Sequence, residues 1–162
     1  MQRTRSSLFS SLGDRVPGAV FADLFAGGGA VGLEALSRGA ARAHFVERNR
    51  DAVAAIRENV RVLGIPADRA VVHATTVAAI LDAEPCPIAD ATIVFADPPY
   101  DVEVNDEMLR RFRANVFAQL ETLVVEHRVR TVLAPPTGLV VTRARRFGDT
   151  VLTTLSPAGG IA

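Results

Sequence analysis

The sequence predicts an α/β fold: a mostly parallel, seven-stranded sheet with helices on both faces and an antiparallel strand at one edge. Three observations predict it. Apolar runs of strand length alternate with amphipathic stretches of helical period along the whole chain, which implies parallel strands joined by right-handed crossovers. The first apolar run feeds straight into a glycine cluster, Gly27-Gly28-Gly29. Three acidic residues, Asp23, Glu47 and Asp97, fall at the carboxyl ends of expected strands, which is where open parallel sheets bind ligands.

Each element has a local reason. Ser6–Leu12 reads as a short helix, broken by Gly13 and Pro17. Val20–Phe25 is an apolar run of strand length, consistent with a buried parallel strand, with Asp23 its one charged residue. Ala30–Arg38 follows as a helix with Gly39 just past its end. Ala43–Val46 is the second strand, and Asn49 can cap a helix over Arg50–Leu63. There Val53, Ile56, Val60 and Leu63 share one face. Ala70–His73 is a third strand, Val77–Leu81 a short helix, and residues 82–90, with two prolines, a loop. Thr92–Ala96 is a fourth strand running into Asp97-Pro98-Pro99-Tyr100. Asp106–Leu120 fits a helix with Leu109, Phe112 and Val116 inward, and Leu123–Glu126 a fifth strand. Leu139–Arg145 and Thr150–Leu155 close the chain as strands around the hairpin signal Gly148-Asp149. No repeat or linker divides the sequence, so residues 1–162 read as one domain.

Composition excludes several classes. Hydrophobic residues make up 49% of the 162, and mean hydropathy is +0.22, which suits a filled core. No apolar run reaches the ~18 residues of a membrane span, and Met1–Ser11 lacks the apolar core of a signal peptide. A cytoplasmic monomer is the expectation. Cys86 stands alone, and His44, His73 and His127 lack metal-ligand spacing, so no metal is expected. Eighteen basic residues cancel eighteen acidic ones. Any nucleic-acid surface must therefore be local, and the basic residues do cluster: Arg3 with Arg5, Arg110 with Arg111 and Arg113, Arg143 with Arg145 and Arg146.

Gly27-Gly28-Gly29-Ala30-Val31-Gly32 satisfies G-x-G-x-x-G, with the acidic Glu47 about 20 residues further on. That pattern suits a dinucleotide and S-adenosylmethionine alike. Asp23, a few residues before the glycine turn, separates them: a carboxylate facing the cleft repels a pyrophosphate and attracts the ammonium of a methionine moiety. S-adenosylmethionine is the expected cofactor.

The Asp97-Pro98-Pro99-Tyr100 corner carries the chemistry. A base amino group is a poor nucleophile because its lone pair is delocalised into the ring. Acceptors aimed at its N–H bonds, the Asp97 carboxylate and the Pro98 carbonyl, favour a more tetrahedral nitrogen. Two prolines pre-organise those acceptors, and Tyr100 offers a stacking face for a base swung out of its stack. The reaction expected is methyl transfer to an exocyclic amino group.

These residues resemble a known family, the bacterial methyltransferases that modify guanine N2 in 16S ribosomal RNA (the RsmD family). The resemblance rests on Asp23–Ala40, Phe45-Val46-Glu47, Phe95–Tyr100, Val124-Val125-Glu126, Arg5–Leu12 and the tail around Arg146–Thr150. It implies a Rossmann-like class I S-adenosylmethionine-dependent methyltransferase acting on ribosomal RNA or a 30S particle. By the same resemblance the cofactor is held by Asp23, Phe25, Ala26, Gly27, Gly29, Gly32, Glu47, Arg48, Thr75, Thr76 and Asp97, while Asp97, Pro98, Pro99 and Tyr100 hold the target base. The Asp-Pro-Pro-Tyr corner is shared with adenine-N6 methyltransferases, so an adenine-N6 enzyme, or a non-catalytic cofactor-binding relative, is the alternative. Two departures stand out. Relatives begin with a basic segment before the first helix, whereas this sequence starts almost at that helix. Their third strand leads into a Gly-Asp pair, whereas Ala74-Thr75-Thr76 stands here, so a neutral hydroxyl replaces a carboxylate at the adenine.

Overall fold

Val20–Leu24, apolar but for Asp23, becomes strand β1, the middle one of the five parallel strands, and the sheet extends from it on both sides. The computed structural model describes residues 2–99 and 102–159. The remaining strands are β2 (Arg42–Glu47), β3 (Ala70–Ala74), β4 (Ile93–Ala96), β5 (Thr122–Arg128), β6 (Leu139–Phe147) and β7 (Thr150–Pro157), and the sheet order is β3-β2-β1-β4-β5-β7-β6. Strands β1 to β5 run parallel. The closing hairpin supplies the antiparallel pairings, β7 lying between β5 and the outermost β6, with a bulge in β6 between Val141 and Arg143. From β1 the chain steps out to β2 and β3, then returns to place β4 on β1's other side. The strand order therefore reverses between β1 and β4, and the ligand crevice of such a sheet opens there.

Helices cover both faces. The helices α1 (Gln2–Leu12), α2 (Ala30–Ser37) and α3 (Arg50–Val62) pack Leu8, Phe9, Leu12, Leu36 and Ile56 on one side, around Phe21, Phe45 and Phe95 of the sheet. On the other side α4 (Val77–Asp82) and α5 (Val102–Arg111) pack Ile80, Leu81, Met108 and Leu109 on Ala22, Leu24, Val46 and Val94. The caps are where the sequence placed them: the Asn49 side chain accepts from the Ala52 N–H at 3.0 Å, opening α3. Among the described residues no helix is long and apolar enough to cross a membrane.

Two local expectations change. Helix α3 ends at Val62, so Leu63 falls beyond it and is 62% exposed. The helix expected over Asp106–Leu120 instead runs from Val102 to Arg111, followed by a short 3-10 turn at Ala114–Val116. Tertiary packing ends it. Phe112 and Phe117 stack with ring centroids 4.9 Å apart, both buried. At about 100° per residue, a continuous helix would turn position 117 about 140° away from position 112. Arg113 goes extended and folds Phe117 back; Val116 still packs, partly buried, on the same core.

Helix α2 lies close on β2 because Gly32 lacks a side chain. A Cβ at Gly32 would sit 2.4 Å from the Phe45 ring, whereas one at Gly28 would meet nothing within 4 Å. Gly32→Ala is expected to cost about 1–3 kcal/mol, the range for overpacking a core, and Gly28→Ala to be near neutral. Urea unfolding midpoints of the two variants check this; equal midpoints would refute it.

Candidate active site

Four carboxylates are gathered above the reversal point by the ends of four strands. Asp23 comes from β1, Glu47 from β2, Asp97 follows β4, and Glu126 comes from β5. Each strand end delivers its acid for the same reason: a parallel sheet points all of its carboxyl ends one way.

Glu47 fixes the frame. One carboxylate oxygen accepts from the Gly27 N–H at 2.7 Å, and the other from the Asn49 N–H at 2.9 Å. Its main-chain carbonyl accepts from the Thr75 N–H at 3.1 Å. Between β1 and the glycines, Phe25 holds φ at 59°, a left-handed conformation that costs a bulky residue about 1–3 kcal/mol and is found where function demands it. Asp23 is 2% exposed, and its Oδ2 accepts from the Gly32 N–H at 3.1 Å. Burial, reinforced by the charges of Asp97 and Glu47 and opposed by the Gly32 hydrogen bond, pushes its carboxyl up to about 7. Burial likewise lifts the half-buried Asp97 above the usual carboxylate range.

A cavity of about 570 Å³ opens beside this cluster, a size that suits a nucleoside-bearing ligand. Of the expected cofactor residues, Phe25, Glu47, Arg48, Thr75, Thr76 and Asp97 line it. Asp23, Ala26, Gly27, Gly29 and Gly32 do not: they build the turn beneath it. Asp23, expected to face the cleft, turns to Gly32 because the first N–H groups of α2 need an acceptor. Gly29, at φ 86°, starts α2 in the left-handed region, close to Ile56 and Phe45. The Thr76 hydroxyl is engaged as the cap of α4, accepting from the Ala79 N–H at 3.1 Å. The far wall escaped sequence reading: Val104, Glu107, Met108 and Arg111 of α5, together with Asn49, Val77 and Ala78. The i,i+4 spacing of Val104 with Met108 and of Glu107 with Arg111 was the available signal.

Asp97, Pro98 and Pro99 form a partition. Pro99 lines the 570 Å³ cavity and also a second cavity of about 360 Å³ beyond it, which Pro98, Asn105 and Glu126 share. Tyr100 lies outside the described residues. The histidines are less scattered than the sequence suggested. His44 Nδ1 is 2.9 Å from His73 Nε2, and His44 Nε2 is 2.8 Å from Asp90; burial lowers the pKa of both rings. Among the described residues no cluster of three or more His, Cys, Asp or Glu side chains is placed to hold a metal ion.

The site fits S-adenosylmethionine on its own chemistry. Mutually repelling acids at one end suit a positively charged sulfonium and ammonium. At the other, Glu47 keeps free lone pairs for a ribose diol, and Val77 and Ala78 offer apolar packing. Sheet order, glycine turn and cavity together define a class I S-adenosylmethionine-dependent methyltransferase. The comparisons narrow that class. The chain belongs to the family described as Conserved hypothetical protein 95, whose model matches residues 1–156. It is 29% identical over 150 residues to YlbH of Bacillus subtilis, covering 91% of this chain and 81% of that protein. It is 34% identical over 122 residues to the ribosomal RNA small subunit methyltransferase D of Escherichia coli, covering 75% of this chain and 59% of that one. The solved structure of Escherichia coli yhhF superposes with a TM-score of 0.82 at 26% identity, over 97% of this chain and 86% of the other.

The raised Asp23 carboxyl makes stability pH-dependent. It titrates near 7 when folded and near its ordinary 3.8 when unfolded, so its contribution is full below about pH 4 and is lost as pH rises through 7. Asp23→Asn removes that loss. The stability difference between variant and parent, in which other groups cancel, is expected to move in the variant's favour from about pH 4 to about pH 7. Chemical denaturation across that range measures it; a flat difference would mean that Asp23 is not held protonated.

Proposed function

We propose that this protein transfers the methyl group of S-adenosylmethionine to the N2 amino group of a guanine in 16S ribosomal RNA, acting as a monomer on the RNA or on a 30S particle. The carrying observation is the partition: a proline of the Asp97-Pro98-Pro99 corner lines both the cofactor cavity and a second one of base size. The kinship with a ribosomal RNA small subunit methyltransferase supports the choice of RNA.

The chain's own groups divide the work. S-adenosylmethionine supplies a methyl group already activated on a positive sulfur. Asp97 and the Pro98 carbonyl accept hydrogen bonds from the amino group, which localises its lone pair for attack. Asp97 would then take up the proton that the amino nitrogen must lose once it has accepted the methyl group in exchange for the departing thioether. An elevated carboxyl suits that task near neutral pH. With the cofactor in one cavity and the base in the other, the shared Pro99 wall would bring the two reactants together at the Asp97 corner, and such positioning lowers the barrier.

RNA affinity needs cations, and the net charge is zero. Two of the three basic clusters are partly neutralised: Arg5 pairs with Glu34 at 2.8 Å, Arg111 with Asp82 and Glu107, and Arg113 with Glu84 at 3.1 Å, while Arg3 and Arg110 keep their charge. Arg143, Arg145 and Arg146 lie exposed along β6 with no ion pair among the described residues. The hairpin tip they lead to borders the second cavity through Asp149. That strand is the natural phosphate contact.

Ribosomal RNA from a strain lacking the gene is expected to lose an N2-methylguanosine, detected by nucleoside mass spectrometry and restored by the intact gene. Asp97→Ala should fail to restore it while keeping S-adenosylhomocysteine affinity within a few-fold. Unchanged nucleosides would rule out the assignment, and a lost N6-methyladenosine would favour the adenine reading. Replacing Arg143, Arg145 and Arg146 together with Gln is expected to raise the KM for RNA with little change in kcat. It should also flatten the slope of log affinity against log salt by about 2–3. An unaltered slope would place the RNA elsewhere.

A further inference from the structure

Resting on that reading, we propose that Glu126, with Asn105, selects the base: its carboxylate accepts the ring N1–H that guanine, alone among bases with an exocyclic amine, places beside that amine. Three observations meet in the 360 Å³ cavity. Its wall is shared with the cofactor cavity at Pro99, so an occupant lies against the Asp97 corner. The register pairs Ala96 with Val125, so the next residues, Asp97 and Glu126, are neighbours on adjacent strands about 4.8 Å apart. Adjacent N–H groups on one planar edge match such a pair of carboxylates. Finally, two acceptors on its wall are left without donors among the described residues. Glu126 accepts no hydrogen bond from the described residues, and Asn105 is 3% exposed with its Oδ1 unpartnered.

An unpartnered buried acceptor is costly, and two carboxylates side by side repel. Burial and the Asp97 charge push Glu126 up to about 7. A donor-rich occupant relieves both costs. Next to their amino groups adenine and cytosine carry a ring nitrogen with a lone pair, which a carboxylate repels. Guanine carries N1–H there. Glu126 thus rewards guanine and penalises the other two, and sites built to hydrogen-bond a substrate donor discriminate strongly against analogues lacking it. Asn105 Oδ1 adds an acceptor to the same wall. Neither residue reaches the cofactor cavity.

The test uses 2-aminopurine, which keeps the N2 amino group but has a lone pair at N1. The methylated site, once located in 16S RNA, is presented with guanosine or 2-aminopurine at the target position, free or in reconstituted 30S particles. The wild type is expected to favour guanosine by about 10- to 100-fold in kcat/KM, the scale of a hydrogen bond to a charged group. Glu126→Ala should lose most of that preference, slowing the guanosine substrate and leaving the 2-aminopurine substrate equal or somewhat faster. Glu126→Gln, whose amide can donate to the N1 lone pair, should raise the 2-aminopurine rate several-fold above that of Glu126→Ala. S-adenosylhomocysteine affinity within twofold of wild type certifies the fold of each variant. A Glu126→Ala protein that binds cofactor and keeps the wild-type preference overturns this inference while leaving the function intact. A wild type that places no methyl on guanine N2 overturns the function, and the inference with it.

Discussion

Glu47 is the joint on which the site depends. Its carboxylate holds the glycine turn after β1 through Gly27 and the start of α3 through Asn49, and its carbonyl holds the end of β3 through Thr75. Three strand ends are thereby locked at one height. A carboxylate accepting two main-chain N–H groups is strongly anchored, so the loops around it are fixed before any ligand arrives. Phe25 can then be kept at a positive φ, because the turn on either side of it is over-determined.

Such a site is electrostatically expensive. Asp23, Asp97 and Glu126 all bear carboxyls raised chiefly by burial, each with a neighbouring acid or desolvation as the cause. Acids forced together in a dry crevice weaken the folded state above neutral pH, and the same strain becomes affinity once a cation or a donor-rich base enters. Stability is given up at the place where binding recovers it. The cores on the two sheet faces, anchored by Phe21, Phe45, Ile93 and Leu123 at zero exposure, carry that deficit.

The parts of the fold that were legible in the sequence are the parts set by local chemistry. Apolar runs bounded by glycines and caps fixed the strands and four of the helices to within a few residues, because each boundary has its own residue, such as Asn49 for α3. The acids at strand ends were legible because a parallel sheet leaves little choice of direction. What escaped depended on distant partners. The end of α5 is set by the Phe112–Phe117 stack, and no local breaker marks it. With that helix misplaced, its wall of the cofactor cavity was lost as well. A second engagement of Asp23 was also not legible: sequence places it at the strand end, and the bare N–H of Gly32 claims one of its oxygens. The pairing of His44 with His73 needs the β2–β3 register, which spacing along one chain does not reveal.

The outermost strand has a consequence for how the protein behaves in a crowded solution. β6 leaves one edge of the sheet open and exposes Val140 and Val141 at 46% and 48%. A flat apolar edge of this kind invites a second molecule to add its own strand. With a pI near 6.8, the protein has almost no net charge to keep copies apart at neutral pH. Protection must therefore be local: the bulge between Val141 and Arg143 breaks the straight run of the edge, and three arginines follow it directly. The hairpin that would otherwise nucleate aggregation carries its own deterrent against self-pairing.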